Sequence, residues 1–162
     1  MLSLIRQSEV DFEGLYHQHG ARMKGVAYHV VGNRSDAEDA VQEAFVKAYR
    51  SYSSFRGESS VGTWLCRIVI NVCYDQLRKR QRETQLTVEP ERSSPSSSMR
   101  VALEDALRRI NPKHRMVFLL YEAEGLKHAE IADVLDIPEG TSKAWLFEAK
   151  KELKRMLSEI RQ

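Results

Sequence analysis

The sequence has few cysteines, few prolines and no long apolar run, and each shortage excludes a class of protein. Its two cysteines, Cys66 and Cys73, are too few for a disulfide scaffold or a closed zinc site, and their spacing favours buried thiols on one side of a helix. The longest uncharged stretch, Gly25 to Asn33, spans nine residues, whereas a membrane-spanning helix needs roughly 18 or more. The N-terminus has no apolar signal core, so the sequence predicts a cytoplasmic protein.

The chain also lacks a strong charge of one sign and any recognisable catalytic set. It carries 25 basic and 23 acidic residues, for a net charge of +2, and it has no polybasic tail. Nucleic-acid binding would therefore have to use local basic stripes rather than a global field. Phosphate-binding and nucleophile motifs are absent, and the five histidines lack metal-ligand spacing. The sequence predicts no enzyme, no metal and no cofactor.

What is present is a helical pattern in two lobes. Hydrophobic residues make up 42% of the chain, enough for packed cores, and no strand-like alternation competes with the helical spacing. Residues 83–98 hold two of the four prolines and a run rich in serine, which is typical of a linker. We therefore predict an all-α protein with domains at 1–82 and 99–162 joined by a flexible linker. A surface loop within one domain is the alternative.

Apolar spacing predicts three helices in the first lobe. The first covers about residues 12–30, and the second begins at a capping box from Ser35 to Glu38 and ends before Phe55. The third covers about residues 61–82. A three-helix lobe of this kind would leave one polar face of each helix in solvent.

The second lobe carries the pattern of a helix-turn-helix. Asn111 and Pro112 have the residue types of a helix cap and first helical position. A short helix over about 128–135, a turn through residues 136–140 and a long helix capped by Thr141 follow. This segment is the most specific local signal for DNA binding.

Three groups of polar and aromatic residues could carry function. The first is a set of hydrogen-bond acceptors at positions 39, 42 and 43, which suits docking to arginines on a partner, although helix-dipole complementarity also explains its acids. The second is a basic stripe on the third helix preceded by aromatic residues, which suits single-stranded DNA, although a solvated face is the alternative. The third is a row on the long helix that suits phosphates and the major groove: Lys143, Phe147, Lys150 and Lys154.

Two long motifs in this order resemble a known family. The segment 36–80, beginning DAEDAVQEAF, resembles region two of the extracytoplasmic-function sigma factors of bacterial RNA polymerase. The segment 106–153, ending GTSKAWLFEAKKEL, is similar to their region four. The resemblance covers most of the chain and implies a subunit that selects promoters and helps to open the duplex.

The resemblance also implies roles for the three groups. The core-polymerase contact, on the clamp helices of the largest subunit, would be made by Asp39, Gln42 and Glu43. The −10 element would be captured by Phe55, Arg56, Trp64, Arg67, Asn71, Arg78 and Lys79. The −35 element would be read by Arg115, Thr141, Ser142, Lys143, Phe147 and Lys150. The flap of the second-largest subunit, promoter DNA and an anti-sigma factor are further implied partners.

The long helix departs from the family pattern, which is close to GTVKSRLxRAR. Trp145 and Glu148 replace two arginines, and Ser142 replaces an apolar residue. Two other interpretations stay open: a stand-alone helix-turn-helix repressor, and an interaction module that sequesters a regulator. The acceptor group at 39–43 separates the sigma-factor interpretation from the repressor, which has no use for it.

Overall fold

The computed structural model describes residues 11–83 and 98–160, and all regular structure in these ranges is helical. The chain divides into two compact units, Met1–Pro90 and Glu91–Gln162. The predicted all-α, two-unit fold class is confirmed. Most of the predicted linker lies outside the described residues, although Glu83 still belongs to one helix and Ser98 already begins the next.

Unit 1 is a bundle of three helices, α1 (Phe12–Val31), α2 (Arg34–Ser51) and α3 (Val61–Glu83), each packed against the other two. Every alanine on the inner face of α2 is buried, so this helix lies close to its neighbours, and its outer face is left to solvent. The core side chains of the other two helices include Met23, Val26, Leu65, Val69, Ile70 and Val72.

The connection between α1 and α2 is set by Gly32, whose φ of 84° places it in the left-handed region that favours glycine. Asn33 then caps α2, because its side-chain oxygen accepts a hydrogen bond from the Asp36 amide at 2.9 Å. The predicted cap at Ser35 is wrong. The chain turns into the helix at Arg34, so Ser35 already lies inside the first turn.

The start of α3 follows a short 3₁₀ turn, Tyr52–Ser54, and an irregular segment that contains Gly57 at φ 74°. The Ser60 hydroxyl accepts a hydrogen bond from the Thr63 amide at 3.1 Å and so satisfies one free donor of the helix end. The segment 55–60 is held at both ends by helices of unit 1.

Unit 2 contains α4 (Ser98–Arg109), α5 (Pro112–Phe118), α6 (His128–Leu135) and α7 (Glu139–Ile160). The predicted cap of α5 is confirmed, because Asn111 Oδ1 accepts a hydrogen bond from the Lys113 amide at 2.9 Å. A widened π-helical turn, Leu119–Ala123, continues α5, and the Glu124 amide donates to the Leu119 carbonyl at 3.1 Å. One core of this unit comprises Ala106, Leu107, Ile110, Leu119, Ala149 and Leu153.

Helices α6 and α7 form the predicted helix-turn-helix, with the turn at Asp136 in the left-handed conformation at φ 54°. The predicted cap of the second helix at Thr141 is wrong. Helix α7 begins at Glu139, and the amides of Thr141 and Ser142 both donate to the Pro138 carbonyl, at 3.0 and 3.1 Å. Over residues 11–83 and 98–160, no helix has the length and apolar character needed to cross a membrane.

Candidate protein and nucleic-acid interfaces

The outer face of α2 carries the predicted acceptor group. Asp39, Gln42 and Glu43 are all exposed, and the buried alanines opposite them fix this orientation. Glu43 lies 3.4 Å from the Lys47 ammonium, and both side chains are about half exposed. Such an exposed pair is a weak constraint, so the carboxylate remains able to exchange partners.

Two apolar side chains extend this face and were missed from the sequence. Val46 is 49% exposed and Tyr49 is 67% exposed, one and two turns after the acceptors. The Tyr49 ring meets the Phe12 ring edge to face at 5.1 Å. The available signal was that Val46 and Tyr49 lie off the apolar stripe of α2. We name the five residues 39, 42, 43, 46 and 49 the α2 outer face.

The predicted aromatic part of the −10 site is an assembled cluster. Phe55 and Trp64 have ring centroids 4.9 Å apart, and Tyr52 lies about equally far from both, at 6.1 and 6.0 Å. Phe55 and Trp64 are half-buried. These rings therefore shape unit 1 as well as offering faces to a ligand.

The polar stripe of α3 is exposed at Arg67, Asn71, Arg78 and Lys79, and Arg56 is exposed in the preceding segment. Arg78 lies 3.8 Å from Asp75, and both side chains are mostly exposed. Arg80, near the end of α3, bonds to Asp36 at the start of α2. This pair ties the end of α3 to the helix that carries the acceptors.

The outer face of α7 is exposed at Lys143, Phe147 and Lys150. Lys143 lies 3.6 Å from Glu139. Lys150 lies 2.7 Å from Glu122 and 5.6 Å from the centre of the Tyr121 ring. The hydrogen bond to Glu122 raises the pKa of Lys150, so this side chain stays cationic. Phe147 stands between these two lysines along the helix.

Ser142 is a correction to the predicted DNA-binding set. Its side chain is 0% exposed, and its hydroxyl lies 2.9 Å from Nδ1 of His128. A buried side chain cannot reach a base edge, so the prediction that Ser142 contacts DNA is wrong for its side chain. It occupies an inward position of α7, where the family has an apolar residue.

Two further members of the predicted −35 set are only partly exposed. Thr141 is half-buried in the first turn of α7. Arg115 is also half-buried, and its Nη1 donates to the Leu107 carbonyl at 3.3 Å, which links α5 to α4. Neither side chain projects freely into solvent.

The two residues that replace arginines of the family pattern lie at the edge of the α7 face. Trp145 is half-buried, with its ring 6.0 Å from the His114 ring and 5.7 Å from the Lys113 ammonium. Glu148 is also half-buried. The tryptophan therefore packs toward the start of α5.

Unit 2 also has an apolar groove of about 450 Å³ between α4, α5 and α7. Its apolar lining consists of Met99, Leu103, Phe118, Leu153 and Leu157, and Lys150 and Lys154 supply charge. Phe147 is not part of this lining.

The two cysteines lie in the interior of unit 1. Cys66 and Cys73 are buried, as predicted, and burial raises the pKa of Cys73 to about 12. Within the part of the chain that the structure describes, no three His, Cys, Asp or Glu side chains gather as a metal site.

Comparison with known proteins gives matches for both units. The family model "Sigma-70 region 2" matches residues 15–83, and the model "Sigma-70, region 4" matches residues 100–153. The RNA polymerase sigma-H factor of Pseudomonas aeruginosa is 30% identical over 90% of this chain and 84% of its own length. The ECF RNA polymerase sigma-E factor of Escherichia coli K12 is 34% identical over 72% of this chain and 71% of its own.

A solved structure has the same fold. The sigma factor RpoE from Bartonella quintana, in complex with the anti-sigma factor NepR, matches with a TM-score of 0.82 and 26% identity. The match covers 91% of this chain and 97% of that protein.

Proposed function

This chain belongs to the extracytoplasmic-function sigma factors of bacterial RNA polymerase, and from that membership we propose how its surfaces divide the work of initiation. The family directs transcription initiation and is not enzymatic, and we propose that this chain likewise catalyses no reaction itself. We place it in the cytoplasm, with core RNA polymerase and promoter DNA as its partners. The stand-alone repressor interpretation is disfavoured, since regions 2 and 4 occur together.

The α2 outer face is proposed to dock on the clamp helices of the largest polymerase subunit. The observation that carries this proposal is the exposure of Asp39, Gln42 and Glu43 together on one face of a rigid bundle. Carboxylates and an amide oxygen accept charge-assisted hydrogen bonds from arginines of a facing helix. Val46 and Tyr49 would add apolar area beside these polar contacts.

The α3 stripe and the aromatic cluster are proposed to hold the opened −10 strand. Asn71, Arg67 and Arg78 are exposed along one helix, so they are placed to meet phosphates and base edges of an extended strand. Phe55 and Trp64 offer ring faces on which a flipped base could stack. Because these rings also support each other, their contribution to DNA binding is combined with a contribution to folding.

The α7 outer face is proposed to enter the major groove at the −35 element. Lys143 is exposed in the second turn of α7, the part of a recognition helix that meets base edges and phosphates. The Arg115 side chain, on α5, is proposed to contact the phosphate backbone of the same DNA element.

The apolar groove of unit 2 is proposed as a site for a protein helix, either the flap of the second-largest subunit or an anti-sigma factor. The Bartonella relative, whose structure was solved with an anti-sigma factor, supports the existence of such a regulator for this chain. Lys150 and Lys154 at the groove favour an acidic helix as the occupant.

The docking proposal is tested by reversing charge at Asp39 and Glu43. The double variant Asp39→Lys/Glu43→Lys should lose core binding, because each lost charge-assisted bond costs about 1.5–3 kcal/mol and the new cations repel arginines. Core affinity is measured by fluorescence anisotropy on the labelled full chain. The matched control, Glu13→Lys/Glu83→Lys, makes the same charge change at exposed positions of α1 and α3 and should bind normally. Equal affinity of the two double variants would refute the docking surface.

A further inference from the structure

Phe147 is a large apolar side chain exposed in the middle of a cationic helix face. Its side chain is 66% exposed. Among the described residues of α7, it is the large apolar side chain that is exposed to this degree. Lys143 precedes it by one turn, and Lys150 and Lys151, also exposed, follow it. Because most of the phenyl ring stays in water, it adds little to the folding stability of unit 2.

The side chains around Phe147 are largely committed elsewhere. Ser142 is buried against His128, Trp145 packs toward Lys113 and His114, and Lys150 bonds to Glu122. What the centre of this face presents outward is Lys143, Ala144 and Phe147. This part of the face therefore offers few hydrogen-bonding groups to base edges, and it offers apolar surface instead.

Resting on the proposed −35 role of α7, we propose that Phe147 reads a thymine in the −35 element through its 5-methyl group. The major groove of DNA offers donors, acceptors and one apolar group, the thymine methyl. A phenyl ring cannot satisfy a donor or acceptor, so the methyl is the base feature that it complements. Lys143 and Lys151, both exposed, can contact the phosphates on either side of the groove.

A protein partner is the rival occupant of this position. Phe147 lies outside the apolar groove of unit 2, and three of its four helix neighbours at one turn are lysines, the fourth being Ala144. A cationic rim around one ring suits polyanionic DNA better than an apolar protein surface. DNA is therefore the occupant that we assign.

The test replaces single thymines by deoxyuridine, which removes only the methyl group. Promoters are first selected from a genomic library by run-off transcription with wild-type holoenzyme, and each −35 thymine is then substituted in turn. At one position, wild-type affinity should fall about four-fold, the equivalent of one methyl group left unburied. Phe147→Ala holoenzyme should bind the thymine promoter about as weakly as wild type binds the uracil promoter, and should not distinguish the two.

Phe147→Leu is the control variant, because it keeps apolar contact and should retain part of the preference for thymine. Since Phe147 is exposed, both variants should unfold at the wild-type midpoint, which circular dichroism checks. If wild-type affinity is unchanged by deoxyuridine at every position, or if Phe147→Ala keeps the preference for thymine, the inference about Phe147 is overturned. The proposed −35 role of α7 is not affected by either result. Loss of core binding in Phe147→Ala with no thymine preference in wild type would assign the ring to a protein. If wild-type holoenzyme ignores the whole −35 element, the proposed function of α7 fails with it.

Discussion

Nδ1 of His128, the first residue of α6, lies 2.9 Å from the buried hydroxyl of Ser142 in α7. A hydroxyl at an inward position costs free energy unless it is hydrogen-bonded, and the histidine supplies that partner. The same imidazole stacks on the Tyr121 ring with centroids 4.8 Å apart. The two helices of the helix-turn-helix are thus joined by a polar contact between buried or half-buried side chains.

Ser142 is therefore predicted to act on stability and not on base recognition. Ser142→Ala should lower the free energy of unfolding by about 1 kcal/mol, and His128→Ala by about 1–3 kcal/mol because it strands the buried hydroxyl. The double variant should lose less than the sum of the two. Urea denaturation measures the energies, and a −35 library should return the wild-type base preference for Ser142→Ala. A changed preference would restore Ser142 to the DNA-binding set.

Asn71 is predicted to act in strand opening. Asn71→Ala should keep core binding but reduce open-complex formation, and a promoter with a premelted −10 bubble should recover much of the loss. Permanganate footprinting on duplex and bubble templates measures this. Gln18→Ala, an exposed amide on α1, is the matched control and should behave as wild type. Equal defects of Asn71→Ala on both templates would argue against a role in melting.

Trp64 is expected to behave differently from Asn71, because its ring packs against Phe55 and Tyr52. Trp64→Ala should destabilise unit 1 by about 3 kcal/mol, near the lower end for a large aromatic removed from a core. Thermal unfolding of the full chain separates this loss from any defect in opening. A variant as stable as wild type would contradict a structural role for the indole.

Val46 and Tyr49 are predicted to contribute apolar contact to core docking. Val46→Ser/Tyr49→Ser should weaken core binding about ten-fold, equivalent to about 1.4 kcal/mol. Val46 is 49% exposed and Tyr49 is 67% exposed, with one ring contact to Phe12, so urea denaturation of the same variant corrects for any loss of folding stability. The control is Val101→Ser, which changes an exposed valine of unit 2. Anisotropy with labelled chain measures the affinities, and an unchanged value would confine the interface to the three polar residues.

The raised pKa of Cys73 predicts a stability loss at alkaline pH. The pKa of the Cys73 thiol is raised from its ordinary value of 9.0 to about 12 in the folded chain, chiefly because the thiol is buried. Above pH 9.0 the unfolded chain releases this proton while the folded chain keeps it. The free energy of unfolding therefore falls as the pH rises through this window. Cys73→Ala should show a shallower fall in urea titrations from pH 8 to pH 10; identical slopes would contradict the assignment.

Helical periodicity is strong enough to predict the helices but not every end. Ser35 and Thr141 have good capping side chains, yet both helices begin earlier: the Asn33 side chain caps α2 two residues before Ser35, and the Pro138 carbonyl accepts the first backbone hydrogen bonds of α7 three residues before Thr141. Cap residues compete locally, and the winner depends on where the incoming chain turns. Composition alone does not decide that competition.

The exposure of a candidate residue could be predicted where it depends on the periodicity of a single helix. It could not be predicted where the side chain pairs with a residue of another helix. Asp39, Gln42 and Glu43 lie opposite a clear apolar stripe, so their exposure follows from the helix period. The engagement of Arg80 by Asp36 and of Lys150 by Glu122 depends on contacts between different helices. No periodicity within a single helix reports such pairs.

Because of the widened turn at Leu119–Ala123, the packing of unit 2 depends on the number of residues in this segment. Two residues of this turn contact other helices: Tyr121 stacks on His128 of α6, and Glu122 pairs with Lys150 of α7. Deleting a residue here would restore ordinary helical hydrogen bonding but carry the following chain about 100° around the helix axis. A one-residue deletion would thus separate both pairs, although no contacting side chain had been altered. Insertions and deletions at this turn should be rarer among close homologues than substitutions.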